Sequence, residues 1–565
     1  MLLATLLCAV LALPIAWSAR GRVDPDGVSY LDIAGNAARV SPWYLVSNGY
    51  WSPAYPTLQA VAVKLVHPSP SDELAVAHGV DWLIFVAACS CFTYFFFNLL
   101  RWVASRHGPV FESGSFYGIA ALAYAALYVA NIDPTLWGIG ADKMLEGTVY
   151  LAAGVCVRLS LPKPRIAHHI LLGAVLALAY ATKAALLPIS LGLIIILFLW
   201  PPSGEFGRKG TAIVALSFLL AVSPLVIALS YSKGRLTFGD SGRLNYARSV
   251  NRSVPLGPLP LDFWAGRSPY AGFPLHPPQW ISTTNPVVLK FNGPPGVTFP
   301  LWYDPSYWMD GLKLHFDFRQ QGRRYLHSLG LIDRAAPMEG TDVVRLALPW
   351  LAMFCGVAVF ALVGLKFQGV YRAMRKHLWL FLWPAFAVLV YSSVMLTPRY
   401  FGGFFVLGWV GTFVGVSIVM KDRKATPVIL CVVAAALLAA NYRESVGPTV
   451  AVLFSRAVPD RDSSLTRKLA GLGVRRGDEI CVAGRDFFFG YGYGYARLLG
   501  ARVSMAIPQD VNTLSKLPAA QVESVIAKLR ANGARAVISP RRPAFDNDSG
   551  WISVPEFNLF IRFIQ

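Results

Sequence analysis

The sequence predicts a polytopic α-helical membrane protein with about eleven transmembrane helices and a small C-terminal α/β domain. Three observations carry that expectation. Of 565 residues, 55% are hydrophobic, and the mean hydropathy is +0.48. Only 15% are charged, whereas soluble chains average about 25%. Apolar runs near the 20 residues that a bilayer crossing needs recur along the chain. The same figures argue against a cytosolic enzyme and against disorder, which needs low hydrophobicity. The 48 Gly and 39 Pro follow no period, which excludes collagen-like sequence.

Taken in order, the expected spans are 2–18, 80–100, 116–131, 143–160, 167–183, 187–200, 211–231, 345–365, 378–396, 401–420 and 426–441. The first lacks a basic leader, and Ala16-Trp17-Ser18-Ala19 is a weak cleavage site, so it reads as a retained span. Arg101 and Arg106, Arg158 and Lys163, Arg208 and Lys209, Arg372 and Arg375, and Lys421 and Lys424 fall in alternate short loops. Positive residues mark cytoplasmic loops. The loops 19–79, 132–142 and 232–344 and the tail from 442 then lie outside. The expected domains are a transmembrane part, 1–441, and an extracytoplasmic α/β part, 442–565. The expected location is the plasma (inner) membrane. This sidedness, rather than nucleic acid as partner, accounts for much of the net charge of +20. The seven cysteines show no disulfide framework, and Cys89-Ser90-Cys91 has no His or acid nearby.

The loop 232–344 is rich in Pro, Gly and aromatics, as in His276-Pro277-Pro278-Gln279-Trp280, and suits headgroup depth. An amphipathic helix is expected between Trp308 and Ile332. In the tail, helices are expected over 463–472, 495–500 and 519–532. Strands are expected over 479–484, 501–507, 535–539 and 557–564, giving a partly parallel sheet. The glycines between Gly484 and Gly494 do not match a dinucleotide fingerprint.

Several charged residues stand at the outer ends of the expected spans. Asp24 and Asp26 follow the first span, in Asp24-Pro25-Asp26-Gly27. They read either as a turn leading into a capped helix or as the acid pair of a site. Asp142 and Glu146 are four apart and share a helix face where another span begins. Intramembrane acids are costly and often functional. Lys183 interrupts an apolar run before Pro188; it faces the bundle, or snorkels if the chain turns there. Arg399-Tyr400 opens a span and is either an interfacial anchor or a bidentate phosphate binder.

The pattern Asp26-x-x-x-Tyr30, followed by Asn48-Gly49-Tyr50-Trp51-Ser52-Pro53-Ala54-Tyr55-Pro56, resembles integral-membrane glycosyltransferases of the C superfamily. These include protein O-mannosyltransferases and the lipid A aminoarabinose transferase. The order of a short first span, a large outside loop, about eleven spans and an outside C-terminal domain is similar too. The resemblance implies a catalytic base among the first-loop acids. Asp26 is the first choice and Asp24 the second, although the family's usual Asp-Glu pair is absent. It further implies an acid of the second outside loop, Glu146 ahead of Asp142, and a donor-phosphate site at Arg399 and Tyr400. Tyr55 belongs to the matching motif and Lys183 supplies a second cation.

The expected function is transfer of a sugar from a polyprenyl-phosphate donor to an extracytoplasmic lipid, glycan or protein acceptor, with inversion. No obligatory metal or other cofactor is expected, a divalent ion being left open. Neither a P-loop nor an H-E-x-x-H motif occurs in the sequence. The rival reading is a transporter or flippase of lipid-linked saccharide, for which inverted repeats and broken mid-membrane helices would speak. A third is a membrane scaffold whose acids are only helix caps. The enzyme reading requires Asp26, Glu146, Lys183 and Arg399 to converge at the outer membrane boundary.

Overall fold

The computed structural model describes residues 2–107, 120, 123–124, 138–201, 207–251, 261–267, 271–284, 286–328, 378–419, 428, 461–484, 493–508, 517–539 and 550–564. In chain order its first helices are α1 (Leu2–Ala19), α2 (Pro25–Arg39), α3 (Trp43–Val46), α4 (Ala54–Val66), α5 (Glu73–His107), α6 (Asp142–Leu159), α7 (Ile166–Thr182), α8 (Leu186–Leu199) and α9 (Gly207–Lys233). Then come α10 (Ser241–Ser249), α11 (Leu261–Trp264), α12 (Pro300–Tyr303), α13 (Pro305–Trp308), α14 (Phe318–Ser328), α15 (Trp379–Ser392) and α16 (Pro398–Val419). The C-terminal part adds α17 (Arg461–Gly471), α18 (Gly494–Leu499) and α19 (Ala519–Ala531).

Helices occupy the expected spans wherever those fall on described residues. Glu73–Ser105 and Gly207–Lys233 are long and apolar enough on their own to cross a membrane. Thr5–Ala19, Ile166–Thr182, Leu186–Leu199 and Trp379–Ser392 are shorter apolar helices. The expected spans 116–131, 345–365 and 426–441 lie outside the described residues, apart from isolated positions. Helix α9 leaves Leu216, Leu219, Leu220 and Ile227 exposed. A continuous apolar face of that kind is a surface for hydrocarbon rather than water.

The helices pack through small residues. A Cβ at Gly173 would come within 2.6 Å of the Val214 carbonyl oxygen, so α7 and α9 touch backbone to backbone there. A Cβ at Gly154 would stand 2.6 Å from the Tyr94 ring, which lets α6 lie along α5. The core between them holds Phe92, Phe95, Phe96 and Tyr150. The Trp383 indole of α15 donates to the Ile189 carbonyl of α8 at 3.2 Å.

Helix α2 starts at Pro25, because Asp-Pro here serves as N-cap and first turn. The Asp24 carboxylate accepts from the Gly27 N–H at 2.7 Å, and proline at the first helical position loses no hydrogen bond. Among the described residues of 308–332 the expected helix forms only as α14; α13 ends at Trp308 and an extended stretch separates the two. Two acids cap separate helices: Asp304 accepts from Ser306 N at 3.1 Å, and Asp317 from Arg319 N at 2.8 Å. Gly311, at φ 87°, turns the chain between them.

The sheet has seven strands: β1 (Gln279–Ser282), β2 (Val288–Lys290), β3 (Glu479–Ala483), β4 (Arg502–Ile507), β5 (Ala534–Ser539), β6 (Trp551–Val554) and β7 (Leu559–Phe563). Their spatial order is β1-β2-β4-β3-β5-β7-β6. The central strand β3 runs parallel to β4 and β5, and the outer pairings are antiparallel. The expected helices and strands of the tail appear with ends shifted by a residue or two. Strand β6 was not expected. Nor were β1 and β2, which come from the loop 232–344, so the sheet crosses the expected boundary at 441. One apolar core joins this sheet to the first loop: Val28, Leu31, Trp51, Phe299, Trp302, Tyr493, Tyr495, Ile480 and Val503 belong to it.

Candidate functional site

Four helices bring acids and cations together where the apolar bundle meets the loop-and-sheet region. Asp26 lies in the first turn of α2 and Asp142 in the first turn of α6. Lys183 is the C-cap of α7, with an extended backbone. The apolar run therefore ends at Thr182, and the chain turns before α8. Arg399 is the second residue of α16.

Arg399 sits between the two acids. Its Nη2 is 3.4 Å from Asp26 Oδ2, and its Nε is 3.7 Å from Asp142 Oδ2. Lys183 Nζ bonds the other oxygen of Asp142 and lies 3.7 Å from the centre of the Tyr400 ring, in cation–π contact. The Tyr400 hydroxyl is 3.1 Å from Arg399 Nη2. The second Asp26 oxygen accepts from the Trp302 indole N–H at 3.0 Å. Trp302 comes from α12, in the loop 232–344. Nothing in its aromatic surroundings, Pro300-Leu301-Trp302-Tyr303, marks it in advance.

Asp24 stands beside this group. Its helix-capping bond requires Gly27, where a Cβ would be 2.9 Å from both Asp24 Oδ1 and Ile139 Cβ. Burial pushes the Asp24 carboxyl up to about 7, and the negative charge of Asp26 pushes the same way; the Gly27 N–H and Arg399 pull against them.

Two expected residues lie elsewhere. Glu146 shares the α6 face with Asp142 but sits a turn deeper, with a side chain 0% exposed and 3.4 Å from Lys143 Nζ. By contrast the Asp26 side chain is 28% exposed. Tyr55 is buried behind α2; its hydroxyl donates to Asp81 at 2.7 Å and accepts from Gln59 at 2.8 Å. It packs edge-on to Tyr30 and supports α2 from behind. Among the described residues no group of three or more His, Cys, Asp or Glu is placed to hold a metal ion.

The sequence matches no family model and no curated protein. Solved structures do match. ArnT from Cupriavidus metallidurans superposes with a TM-score of 0.52 at 13% identity, over 99% of this chain and 97% of that one, both in the apo state and bound to undecaprenyl phosphate. The Archaeoglobus fulgidus oligosaccharyltransferase in complex with Zn and sulfate gives a TM-score of 0.50 at 11% identity, over 95% of this chain and 67% of that one. The chain therefore shares the fold of ArnT and of that oligosaccharyltransferase. Within that fold, the residues that meet at one point are Asp26, Asp142, Lys183, Arg399, Tyr400 and Trp302, with Asp24 alongside.

Proposed function

We propose that the chain is a multi-pass membrane glycosyltransferase that moves a sugar from a polyprenyl-phosphate donor to an extracytoplasmic acceptor, with inversion at the anomeric carbon. The observation that carries this reading is the meeting of Asp26, Asp142, Lys183 and Arg399 from four helices, on a fold shared with an enzyme solved with undecaprenyl phosphate.

In the proposed step the donor phosphate lies against Arg399 and Lys183. An acceptor hydroxyl oxygen bonds to the anomeric carbon as the bond from that carbon to the phosphate oxygen breaks. The hydroxyl proton passes to Asp26, and the bonding pair leaves with the polyprenyl phosphate. A single displacement inverts the centre. The two cations stabilise charge that grows on the phosphate, an electrostatic contribution fixed in advance by the fold. Trp302 and Arg399 hold the Asp26 carboxylate in place, and Asp142 keeps Lys183 and Arg399 apart at a set spacing. Asp24, with its carboxyl near 7, keeps a second negative charge away from Asp26 below that pH.

This mechanism places the site, the sheet and residues 442–565 outside the plasma membrane, on a bundle of about eleven spans. Cysteine introduced at Asp546 should react with an impermeant thiol reagent applied from outside, and cysteine at Lys421 should not; the reverse result breaks the mechanism's sidedness. For the chemistry, the full-length chain in nanodiscs should bind undecaprenyl phosphate. Arg399→Ala should weaken that binding about tenfold or more, since a hydrogen bond to a charged group is worth roughly 1.5–3 kcal/mol. Wild-type affinity in Arg399→Ala would remove the donor site from this place.

A further inference from the structure

A second arginine joins the far end of α2 to the C-terminal part of the chain. Arg497 lies on α18, which connects β3 to β4, and its side chain is 8% exposed. Its Nη1 is 2.5 Å from Asp32 Oδ1. Its Nε and Nη2 meet the two oxygens of Glu73 at 2.8 and 2.7 Å, a two-pronged contact with the first turn of α5. Nη2 also reaches the Leu31 carbonyl at 3.3 Å. One guanidinium thus ties three segments together: the helix that carries Asp24 and Asp26, the helix that packs along α6 and its Asp142, and the sheet region.

Asp32 is the centre of this junction. It is 1% exposed. Besides Arg497, it accepts from Thr298 N at 2.8 Å and Thr298 Oγ1 at 2.9 Å. The Thr298 carbonyl in turn accepts from Val503 N of β4 at 2.7 Å. Phe299 stacks on Tyr493, the residue just before α18, with ring centres 4.2 Å apart. Four residues after Thr298 comes Trp302, whose indole holds Asp26. Two paths therefore lead from the junction to Asp26. One runs six residues back along α2, about 9 Å at 1.5 Å per residue. The other runs through 298–302.

We propose that Arg497, acting through Asp32 and Thr298, is a positioning residue for the acid pair Asp24 and Asp26, so that the C-terminal α/β part sets the geometry of the transfer site rather than only covering it. This rests on the reading of those acids as the working acids of the site. A bidentate, fully enclosed arginine suits the task, because its planar fork fixes orientation as well as distance. Arg39 does not duplicate it, since it reaches Glu73 only at 3.9 Å, from a side chain that is 60% exposed.

The test follows the Asp24 carboxyl itself, as the infrared carboxyl band lost in Asp24→Asn, titrated in the full-length chain in nanodiscs. In the wild type it should titrate near 7. In Arg497→Gln the loosened α2 admits water to Asp24, and the midpoint should fall by about half a unit or more. Arg497→Lys should recover part of the shift. Asp32→Asn should move the midpoint the same way, and the double variant should go no further than the larger single one, because both act through one contact. If Arg497→Gln does not fold, Arg497→Lys and Thr298→Val, which removes a single hydroxyl, carry the same comparison. A midpoint that stays in place while the melting temperature drops makes Arg497 a structural strut and overturns the proposal. Undecaprenyl phosphate binding to Arg399→Ala separates this failure from failure of the site reading. Wild-type binding there defeats the site. Lost binding there, with an unmoved Asp24 midpoint in every junction variant, defeats only the positioning role.

Discussion

Arg399 and Arg497 each face two carboxylates, and the contrast between them sets the proposed site apart from a joint. Arg497 meets Asp32 and Glu73 at 2.5–2.8 Å and is almost wholly enclosed. Arg399 meets Asp26 and Asp142 at 3.4 and 3.7 Å and keeps 41% of its side chain exposed. Short contacts that engage all three guanidinium nitrogens of an enclosed side chain leave little for a ligand to take. Long contacts on an open side chain leave donors that a phosphate can take over. Identical residue types thus serve different ends, according to how far the surrounding chain closes on them.

The largest effect should come from Asp26. Asp26→Asn keeps the bond from Trp302 but removes the base, and turnover should fall about 10²–10⁴-fold while undecaprenyl phosphate binding survives. Lost binding with intact turnover of bound donor would make Asp26 a donor-site residue and move the base to Asp24. The next contrast is between the two arginines. Arg497→Ala leaves two acids buried without their cation and should cost about 3–5 kcal/mol of stability. Arg399→Ala opens onto solvent and should cost far less, its loss appearing in donor affinity. Arg399→Lys should restore that affinity only in part, since a point charge replaces a fork. Equal melting temperatures for Arg399→Ala and Arg497→Ala would erase the distinction between site and joint.

A smaller effect concerns pH. The folded Asp24 carboxyl titrates near 7, against an ordinary value of 3.8. The folded chain then holds that proton more tightly than the unfolded chain does. Between about pH 4 and pH 7 a rising pH should lower the stability of the wild type relative to Asp24→Asn, with no further divergence above 7. Turnover should change across the same range as Asp24 gains or loses its proton beside Asp26. In Asp24→Asn, which still caps α2, that limb should be lost. Parallel stability curves for the two proteins from pH 4 to 8 would contradict the assignment. The smallest effect is expected at Tyr55. Tyr55→Phe strands the Asp81 oxygen and should cost about 1–3 kcal/mol, with turnover per folded molecule changed by no more than a few-fold. A larger loss of turnover would return Tyr55 to the site.

Much of this was legible from sequence, and the residues show why. Asp142, Lys183 and Arg399 stand out because a charge beside an apolar run is costly wherever it falls, so each could be picked without knowing its neighbours. Asp24-Pro25-Asp26-Gly27 read as a turn leading into a capped helix, and the Gly27 bond shows these residues to be the cap and first turn of that helix itself. The strands β3, β4 and β5 were readable as short apolar runs between helices. Strands β1 and β2 were not, since Gln279–Ser282 and Val288–Lys290 are too short to signal and depend on β4 for pairing. The preference for Glu146 over Asp142 came with the family resemblance; their four-residue spacing puts both on one helix face but cannot tell which turn of the helix meets Arg399.

The sequence by itself determined the apolar helices on the described residues and the set of charged residues that apolar surroundings make conspicuous, because hydropathy acts over the length of one span. The tertiary structure alone decided which of those charges meet. Arg399 reaches Asp26 across 373 positions, Trp302 reaches it across 276, and Arg497 reaches Asp32 across 465. No local signal encodes such pairs, because they depend on how whole helices and a sheet assembled from two distant segments pack. The same packing decides whether an arginine between two acids is sealed, as at Arg497, or left open to solvent, as at Arg399.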